Sequence, residues 1–514
     1  MNDPGAQAAI SSGESFPRFA RLACIAALLV YGIFIAWQYP PVAAGADAGG
    51  YFFSARLLQE GELSAPLRQV EEMPAGTWRG LQPLGAIGAD DSDRLKPAYP
   101  PGLPVHFALV GAIFGMEWGA TIVAALAACA CVYLTFMLLR WMGVSPLLAV
   151  TGAAALALSP QFVFSSISPM SDTVATAWVL LAAYAALRMR SRWGWGIVCG
   201  AAIGVAVAVR PSNAVIVPAL CVLGASWRGL ASAAAAGAPF AAALAWYQRT
   251  QYGSPMGTGY GDVGSLFTGA HLGPNLLHYG EWVPKLLPVG CLALLVIWQP
   301  WRRMGRVVAG LWLWVVAVFG FYALYQHTHD AWWFLRFVLP AFPALIALAM
   351  LAVDRLCRDW RPRLGSVTIE GRVAVAAVAI LVSAIDFVQV ARAHYILLTK
   401  SYHEPYRNIA TWVNQHLPTD AVVLAMQTSM TLYHYTQFPV VRWDVVTPEH
   451  FAQLREGIRA SRRPLYAVLF RFEAEDPRWL ERPAAWRKIA EVNEVGVWQF
   501  DPDAPDTVSA PPAF

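Results

Sequence analysis

Charged residues are scarce in this chain, and their scarcity excludes a soluble globular protein. Asp, Glu, Lys and Arg make up 14% of the 514 residues, whereas hydrophobic residues make up 57% and the mean hydropathy is +0.45. A soluble protein of this size needs more charge to cover its surface. Apolar runs of about 17–23 residues recur between Phe19 and Ala391, and each can cross a ~30 Å hydrocarbon core. The sequence therefore predicts an integral membrane protein.

Two further absences concern disulfides and cofactors. The seven cysteines all fall in apolar runs or in the basic stretch after Val353: Cys24, Cys129, Cys131, Cys199, Cys221, Cys291 and Cys357. This placement gives no disulfide framework outside the membrane and no metal-ligand spacing. The C-terminal tail has no glycine-rich phosphate loop, so no nucleotide site is indicated. The sequence predicts no cofactor and does not indicate a divalent metal.

The apolar runs predict an all-α polytopic domain over residues 19–391 with about eleven transmembrane helices. The predicted spans are 19–38, 118–140, 144–164, 172–188, 193–209, 212–226, 230–248, 284–300, 305–325, 336–353 and 372–391. Residues 44–46 (AGA) resemble a signal-peptidase site. The length of the preceding run favours an uncleaved first helix.

The basic residues predict the orientation of these spans. With residues 1–18 in the cytoplasm, every strong basic cluster beside a span falls inside, as the positive-inside rule requires. These clusters contain Arg140, Arg188, Arg190, Arg192, Arg228, Arg302, Arg303, Arg306, Arg355, Arg358, Arg361 and Arg363. The short run 103–115 would invert this order if it spanned, so it is predicted to be a juxtamembrane segment. We expect an inner (plasma) membrane protein with a periplasmic or extracellular C-terminus.

The following segments are then predicted to lie outside the membrane. They are the loop 39–117, the turn 165–171, the loops 249–283 and 326–335, and the tail after residue 391. Within the tail, helical periodicity near Ile409 and over 449–460 alternates with strand-like runs at 421–424, 465–470 and 495–500. This alternation predicts a small α/β domain over 392–500. Residues 501–514 are predicted to be disordered.

Two aspartates fall in these outer pieces. Asp47 follows the first span among small residues that allow close approach of a ligand, and its carboxylate can act as a general base. The structural alternative is a turn residue that caps the helix beginning near Tyr51. Asp172 begins the span 172–188, where it is either a second carboxylate of the same outer cavity or an ordinary N-terminal cap.

Three cations accompany these aspartates on the predicted outer side. Arg210 and Arg336 lie there against the usual charge bias, which favours a functional or paired role. Lys96 either meets a lipid phosphate or extends its ammonium group to water. Together they could clamp a phosphate. The pair His327 and His329 with Asp330 is a weak metal signal without a third distant ligand. The glycine-rich loop 252–260 either shapes a substrate site or makes plain turns.

In their order along the chain, several motifs resemble the GT-C glycosyltransferases that use polyprenyl-phosphate sugars. The resemblance is to the branch with protein O-mannosyltransferases, aminoarabinose transferases and bacterial lipopolysaccharide sugar transferases. The matching pieces are 47–51 (DAGGY), 96–102 (KPAYPPG), 168–172 (SPMSD), 210–211 (RP), 252–255 (YGSP) and 336–340 (RFVLP). Many relatives carry an acidic residue where this chain has Ala48. That departure speaks against a metal-based or dyad-based variant of the mechanism.

The resemblance implies inverting transfer of a sugar from a polyprenyl-phosphate carrier to an unknown acceptor at the outer face. Asp47 would be the general base, and Asp172 would orient acceptor or sugar. Lys96, Tyr99, Arg210 and Arg336 would bind the substrate or its phosphate. Partners would be the lipid-linked donor and membrane lipid, with no nucleic acid. The alternatives are a transporter or lipid flippase, whose inverted repeats and broken mid-membrane helices are not evident in the sequence, and a membrane scaffold.

Overall fold

The computed structural model describes residues 18–73, 78–89, 92–299, 304–361, 363–364, 367–480 and 485–504. The predicted cytoplasmic segment before Arg18, the residues Arg302 and Arg303, and most of the tail predicted to be disordered lie outside these residues. The helices, in chain order, are α1 Arg18–Gln38, α2 Asp47–Gln59, α3 Gly102–Phe114, α4 Met116–Trp141, α5 Pro146–Ala157, α6 Pro160–Ser166, α7 Asp172–Arg188, α8 Trp195–Val209, α9 Val217–Gly224, α10 Trp227–Tyr252, α11 Leu272–Leu286, α12 Gly305–Ala323, α13 Phe342–Leu356, α14 Gly371–Ala393, α15 Thr399–His416, α16 Ser429–Tyr435, α17 Pro448–Ser461, α18 Arg471–Ala474 and α19 Pro477–Leu480.

The strands are short and fall into three sheets. They are β1 Ala65–Pro66, β2 Ala86–Ala89, β3 Ser92–Pro97, β4 Arg363–Leu364, β5 Val367–Thr368, β6 Val422–Leu424, β7 Val440–Val441, β8 Leu465–Phe470, β9 Trp486–Val492 and β10 Val495–Phe500. The strand–helix alternation predicted for the tail is present at the predicted positions.

Membrane-spanning helices dominate the chain, which is a multi-pass membrane protein. Among the described residues, six helical segments are long and apolar enough to cross a bilayer, or up to eight if each of two bent pairs is one span. The six include α1, α4, α10, α12 and α14, together with the segment Trp332–Leu356. The predicted count of eleven is not confirmed, because α8 and α9 are shorter than a full span and two other runs are bent.

Two predicted spans differ from straight helices, and proline explains both. The run predicted at 144–164 bends by 60° between α5 and α6, where Ser159 caps α6 and Pro160 begins it. The run predicted at 284–300 is α11 followed by the 3₁₀ segment Pro288–Val296, with a bend of 109°. The last third of the predicted loop 249–283 forms most of α11, a helix that was not predicted there. Proline cannot continue the hydrogen-bond ladder of a preceding helix, so each run breaks there.

The chain forms two compact units. The first, the membrane unit, contains the described residues of the ranges 18–39, 121–247 and 262–399. Within it, α8 packs closely on α10 through glycines. A Cβ on Gly200 would lie 1.9 Å from the carbonyl oxygen of Ala233, and one on Gly196 would lie 2.1 Å from that of Gly229. Small residues allow this approach, and it is how membrane helices gain packing energy where lipid removes the hydrophobic drive.

The second unit, the loop–tail unit, joins the described residues of the ranges 40–120, 248–261 and 400–504. Its five-stranded sheet has the order β7-β6-β8-β10-β9, in which β6 is parallel to β7 and β8 and the others pair antiparallel. Phe53 and Leu95 of the first loop are fully buried in one core with Trp443 of the tail. The sequence predicts a domain boundary after residue 391. In the structure, the first loop and the tail share one core instead.

Candidate functional site

Asp47 lies in the first turn of α2, in the loop–tail unit. Gly45 has a φ of +59°, a left-handed conformation that glycine adopts without strain, and it turns the chain into the helix. A negative charge in the first turn of a helix interacts favourably with the helix dipole, so this position suits the carboxylate of Asp47. The hydroxyl of Tyr99 is hydrogen-bonded to Asp47, and burial, followed by the nearby Asp47 charge, holds the pKa of Tyr99 well above its usual value. Asp47 itself is half-buried.

Close backbone packing fixes the distance between Asp47 and Tyr99. A Cβ on Gly50 would lie 2.5 Å from the Tyr99 ring, and one on Gly85 would lie 2.4 Å from the carbonyl oxygen of Ala46. Neither position accepts a side chain without a shift. The Tyr99 ring also contacts the rings of Tyr51 and Tyr260, with centroids 5.0 Å and 5.8 Å apart. The hydroxyl of Tyr99 is thus held by packing on several sides.

Lys96 is held by the chain itself. It lies on β3 opposite Ile87 of β2, and its Nζ donates to the carbonyl oxygen of Gln251 at 2.8 Å. The next residue of that segment, Tyr252, donates its hydroxyl to the carbonyl of Pro97 at 2.9 Å. An ammonium group has three N–H donors. The bond to Gln251 therefore anchors Lys96 and leaves other donors of the same group.

Asp172 and Arg210 form a buried ion pair in the membrane unit. Asp172 is in the first turn of α7 and 1% exposed, and its Oδ1 accepts from Nη1 of Arg210. Arg210 has an extended backbone (φ −144°, ψ 104°) at the break between α8 and the 3₁₀ segment Pro211–Ile216. That break points its side chain across to α7. Asp172 therefore has a cationic partner, in addition to its position in the first turn of α7.

Arg336 joins the same cluster. It lies in the 3₁₀ segment Trp332–Ala341, and its Nη1 contacts the sulfur of Met170. The guanidinium groups of Arg210 and Arg336 lie 5.1 Å and 5.2 Å from the centroid of Phe337, as cation–π contacts. Two guanidinium groups thus meet at one ring, and one of them is paired with Asp172.

The six predicted residues thus form two groups. Asp172, Arg210 and Arg336 come together in the membrane unit. In the loop–tail unit, Asp47 contacts Tyr99, whereas Lys96 of the same unit is bonded to Gln251. Their roles remain predictions.

Several residues that pack around these two groups were not predicted from the sequence. Tyr322 donates its hydroxyl to Ser212 at 2.6 Å and stacks on Phe337, with centroids 5.2 Å apart. In the other group, Gly259 packs against Ala98 so closely that a Cβ would lie 2.3 Å from its carbonyl oxygen. The glycine-rich loop 252–260 was the only sequence signal for the contact between Gly259 and Ala98. That signal fitted a substrate site and plain turns equally well.

The weak histidine signal has other partners. Nδ1 of His327 lies 2.7 Å from Asp330, and Nδ1 of His329 lies 2.7 Å from Oδ1 of Asn275. Over the described part of the chain, no group of three or more His, Cys, Asp or Glu side chains could hold a metal ion.

Comparisons with known proteins were made on sequence and on structure. No protein-family model and no curated protein matches the sequence. Solved structures do match the fold. ArnT from Cupriavidus metallidurans, solved with bound undecaprenyl phosphate, has a TM-score of 0.56 and 15% identity over 93% of this chain and 97% of ArnT.

Two other structures match over most of this chain. The oligosaccharyltransferase of Archaeoglobus fulgidus, solved with a tethered acceptor peptide, has a TM-score of 0.59 and 11% identity over 95% of this chain and 74% of that protein. The arabinofuranosyltransferase AftD from Mycobacteria has a TM-score of 0.53 and 15% identity over 97% of this chain, which spans 40% of AftD. The chain has the fold of the GT-C membrane glycosyltransferases.

Proposed function

We propose that this protein transfers a sugar from a polyprenyl-phosphate carrier to an acceptor at the outer face of the membrane. The observation that carries the proposal is the half-buried carboxylate of Asp47 at a helix N-terminus, hydrogen-bonded to the hydroxyl of Tyr99. The shared fold supports it, since ArnT was solved with undecaprenyl phosphate and a related archaeal protein, AglB, with dolichol phosphate. Both ligands are polyprenyl phosphates.

Asp47 acts as the general base. Its carboxylate takes the proton of an acceptor hydroxyl or amine as that group attacks the anomeric carbon of the donor. Tyr99 holds the carboxylate in position through its hydroxyl group. Direct attack inverts the anomeric configuration. The bond from the anomeric carbon to the phosphate oxygen breaks, and the polyprenyl phosphate leaves without needing a general acid.

The cations stabilise the departing phosphate. Arg210 and Arg336 both contact the ring of Phe337, and preorganised guanidinium groups bind phosphate in a fixed geometry. Lys96 is predicted to bind the substrate or its phosphate, and its bond to Gln251 leaves other donors of the ammonium group for that role. Asp172 orients Arg210 through their ion pair, which refines its predicted role of orienting acceptor or sugar.

The test measures sugar release from a panel of labelled polyprenyl-phosphate sugars by the purified full-length protein. Asp47→Asn is expected to lower the rate about 10²–10⁴-fold, the usual contribution of a general base, while lipid binding survives. Asp93→Asn, an exposed substitution in the same unit, is the matched control and should turn over normally.

Either of two results would contradict the proposal. One is release by Asp47→Asn at the rate of the parent. The other is a folded parent that releases no sugar from any donor and binds none of the lipids, which would favour transport or scaffolding.

A further inference from the structure

The sheet of the loop–tail unit has a topological switch point between β6 and β8. The strand order β7-β6-β8 places the third strand in sequence beside the first, and β6 is parallel to both of its neighbours. In open α/β sheets, ligands bind in the crevice outside the carboxyl ends of the two strands at such a point. Here the segments that follow β6 and β8 begin at Ala425 and at Arg471.

One buried carboxylate, on α18, bonds to the backbone at both strand ends. Glu473 is 1% exposed, and its oxygens accept from the backbone N–H groups of Met426 and Gln427 at 3.2 Å and of Phe470 at 2.9 Å. They also accept from the indole N–H of Trp443 at 3.1 Å. Four donors occupy this carboxylate, so it fixes the shape of the crevice and offers little charge to a ligand.

The crevice adjoins the segment that carries Asp47. A Cβ on Gly45 would lie 3.2 Å from Nε2 of Gln427 and 3.9 Å from the hydroxyl of Tyr406. The same Nε2 donates to that hydroxyl at 2.9 Å. In α16, which follows Gln427, the hydroxyl of Thr431 donates to the carbonyl of Ala43 at 2.6 Å. A ligand that touches Gln427 is therefore within a few ångströms of the turn preceding Asp47.

Aromatic rings lead from this point to the surface. The rings of Tyr406 and Phe470 lie 5.1 Å apart, and those of Phe470 and Phe472 are stacked at 5.8 Å and 16°. Phe472 is 57% exposed. The neighbouring charges pair with each other, as Arg471 does with Glu475 at 2.8 Å. Apolar ring faces next to an amide and a hydroxyl fit a neutral ligand with one apolar face and several hydroxyl groups.

A saccharide ring has this chemistry, since its C–H face packs on aromatic rings and its hydroxyl groups bond to amides. We propose that the crevice at the carboxyl ends of β6 and β8 binds a neutral saccharide of the acceptor, on Phe470, Phe472 and Gln427. The inference rests on the proposed function and names the acceptor class. It assigns the tail a part in acceptor choice and leaves donor binding to other residues.

The experiment measures binding directly, so that it does not depend on turnover. Saturation-transfer NMR is recorded on the full-length protein with a panel of neutral methyl hexosides, and dissociation constants are obtained for the parent, Phe472→Ala and Gln427→Ala. Tyr402→Ala is the control, because Tyr402 lies in the same unit and is also 57% exposed. Loss of one ring face should weaken binding about three- to tenfold. The control should bind like the parent.

Two outcomes would overturn the inference: no hexoside binds the parent, or Phe472→Ala and Gln427→Ala bind as tightly as Tyr402→Ala. Sugar release from the donor panel is recorded in parallel on the parent. If no donor is turned over while hexoside binding still depends on Phe472, the proposed function fails and the saccharide site stands.

Discussion

The two compact units each hold one candidate aspartate, and the two carboxylates differ in their partners. In the membrane unit, Asp172 is 1% exposed and forms an ion pair with Arg210. In the loop–tail unit, Asp47 is half-buried at the start of α2 and accepts from the neutral hydroxyl of Tyr99. The ion pair occupies an oxygen of the buried Asp172, whereas the half-buried Asp47 is more accessible to an acceptor. Asp47 is therefore the better candidate for a base, and Asp172 for positioning a cation.

Breaking the ion pair gives the largest expected effect and tests the membrane side of this contrast. Asp172→Asn leaves Arg210 nearly buried without its counter-charge, which should cost about 3–5 kcal/mol of unfolding free energy. The double variant Asp172→Asn/Arg210→Gln removes both charges and should recover most of that loss. Thermal unfolding in detergent measures both. Equal losses in the single and double variants would show that the pair is not coupled.

Filling the close contact at Gly50 tests the loop–tail side. Gly50→Ala places a methyl group 2.5 Å from the Tyr99 ring, and relieving such overpacking typically costs about 1–3 kcal/mol. We expect a lower melting temperature and slower sugar release, because Tyr99 shifts away from Asp47. Gly280→Ala is the matched control, since a Cβ there meets nothing within 4 Å. A stable, fully active Gly50→Ala would argue against a fixed Asp47–Tyr99 geometry.

Removing the hydroxyl of Tyr99 tests the contribution of its hydrogen bond to Asp47. Tyr99→Phe keeps the ring packed on Tyr51 and Tyr260 and deletes the donor to Asp47. A hydrogen bond to a charged group contributes about 1.5–3 kcal/mol, so kcat/KM for sugar transfer should fall at least about tenfold. Tyr395→Phe, at an exposed tyrosine, serves as the control. If Tyr99→Phe loses stability but keeps its kcat/KM, the hydroxyl serves folding alone.

The smallest expected effect near neutral pH is a pH dependence of stability that originates in the loop–tail unit and grows as the pH falls. Burial, together with the charges of Arg56 and Arg68, lowers the pKa of His434 to about 3. Between that value and the unfolded pKa of about 6.5, the unfolded chain binds a proton that the folded chain does not. Stability should therefore fall as pH drops below about 6.5, by up to about 1.4 kcal/mol per pH unit.

A substitution isolates this contribution. His434→Phe should flatten the dependence of the melting temperature on pH between about 6.5 and 4, whereas His416→Phe, at an exposed histidine, should leave the slope of the parent. An unchanged slope in His434→Phe would assign the pH dependence to other groups.

Sequence pattern predicted individual elements well where one physical signal decided them. The first predicted span, 19–38, corresponds to α1, and the predicted strand 465–470 is β8. Apolar length decides a membrane helix, and the run of apolar residues suited to a strand decided β8. The prediction failed at Pro288, because the same apolar composition suits a straight span and a bent one. Apolar length alone therefore could not place the break.

The sequence by itself determined the membrane class, most of the helices and the types of residue available for chemistry, because hydropathy and charge are local properties of the chain. Tertiary structure alone decided which of these residues meet. Arg210 reaches Asp172 only because α8 ends in an extended residue beside α7, and Phe53 shares a core with Trp443 across nearly 400 residues of sequence. Such contacts depend on packing between distant segments, which no local pattern in one sequence encodes.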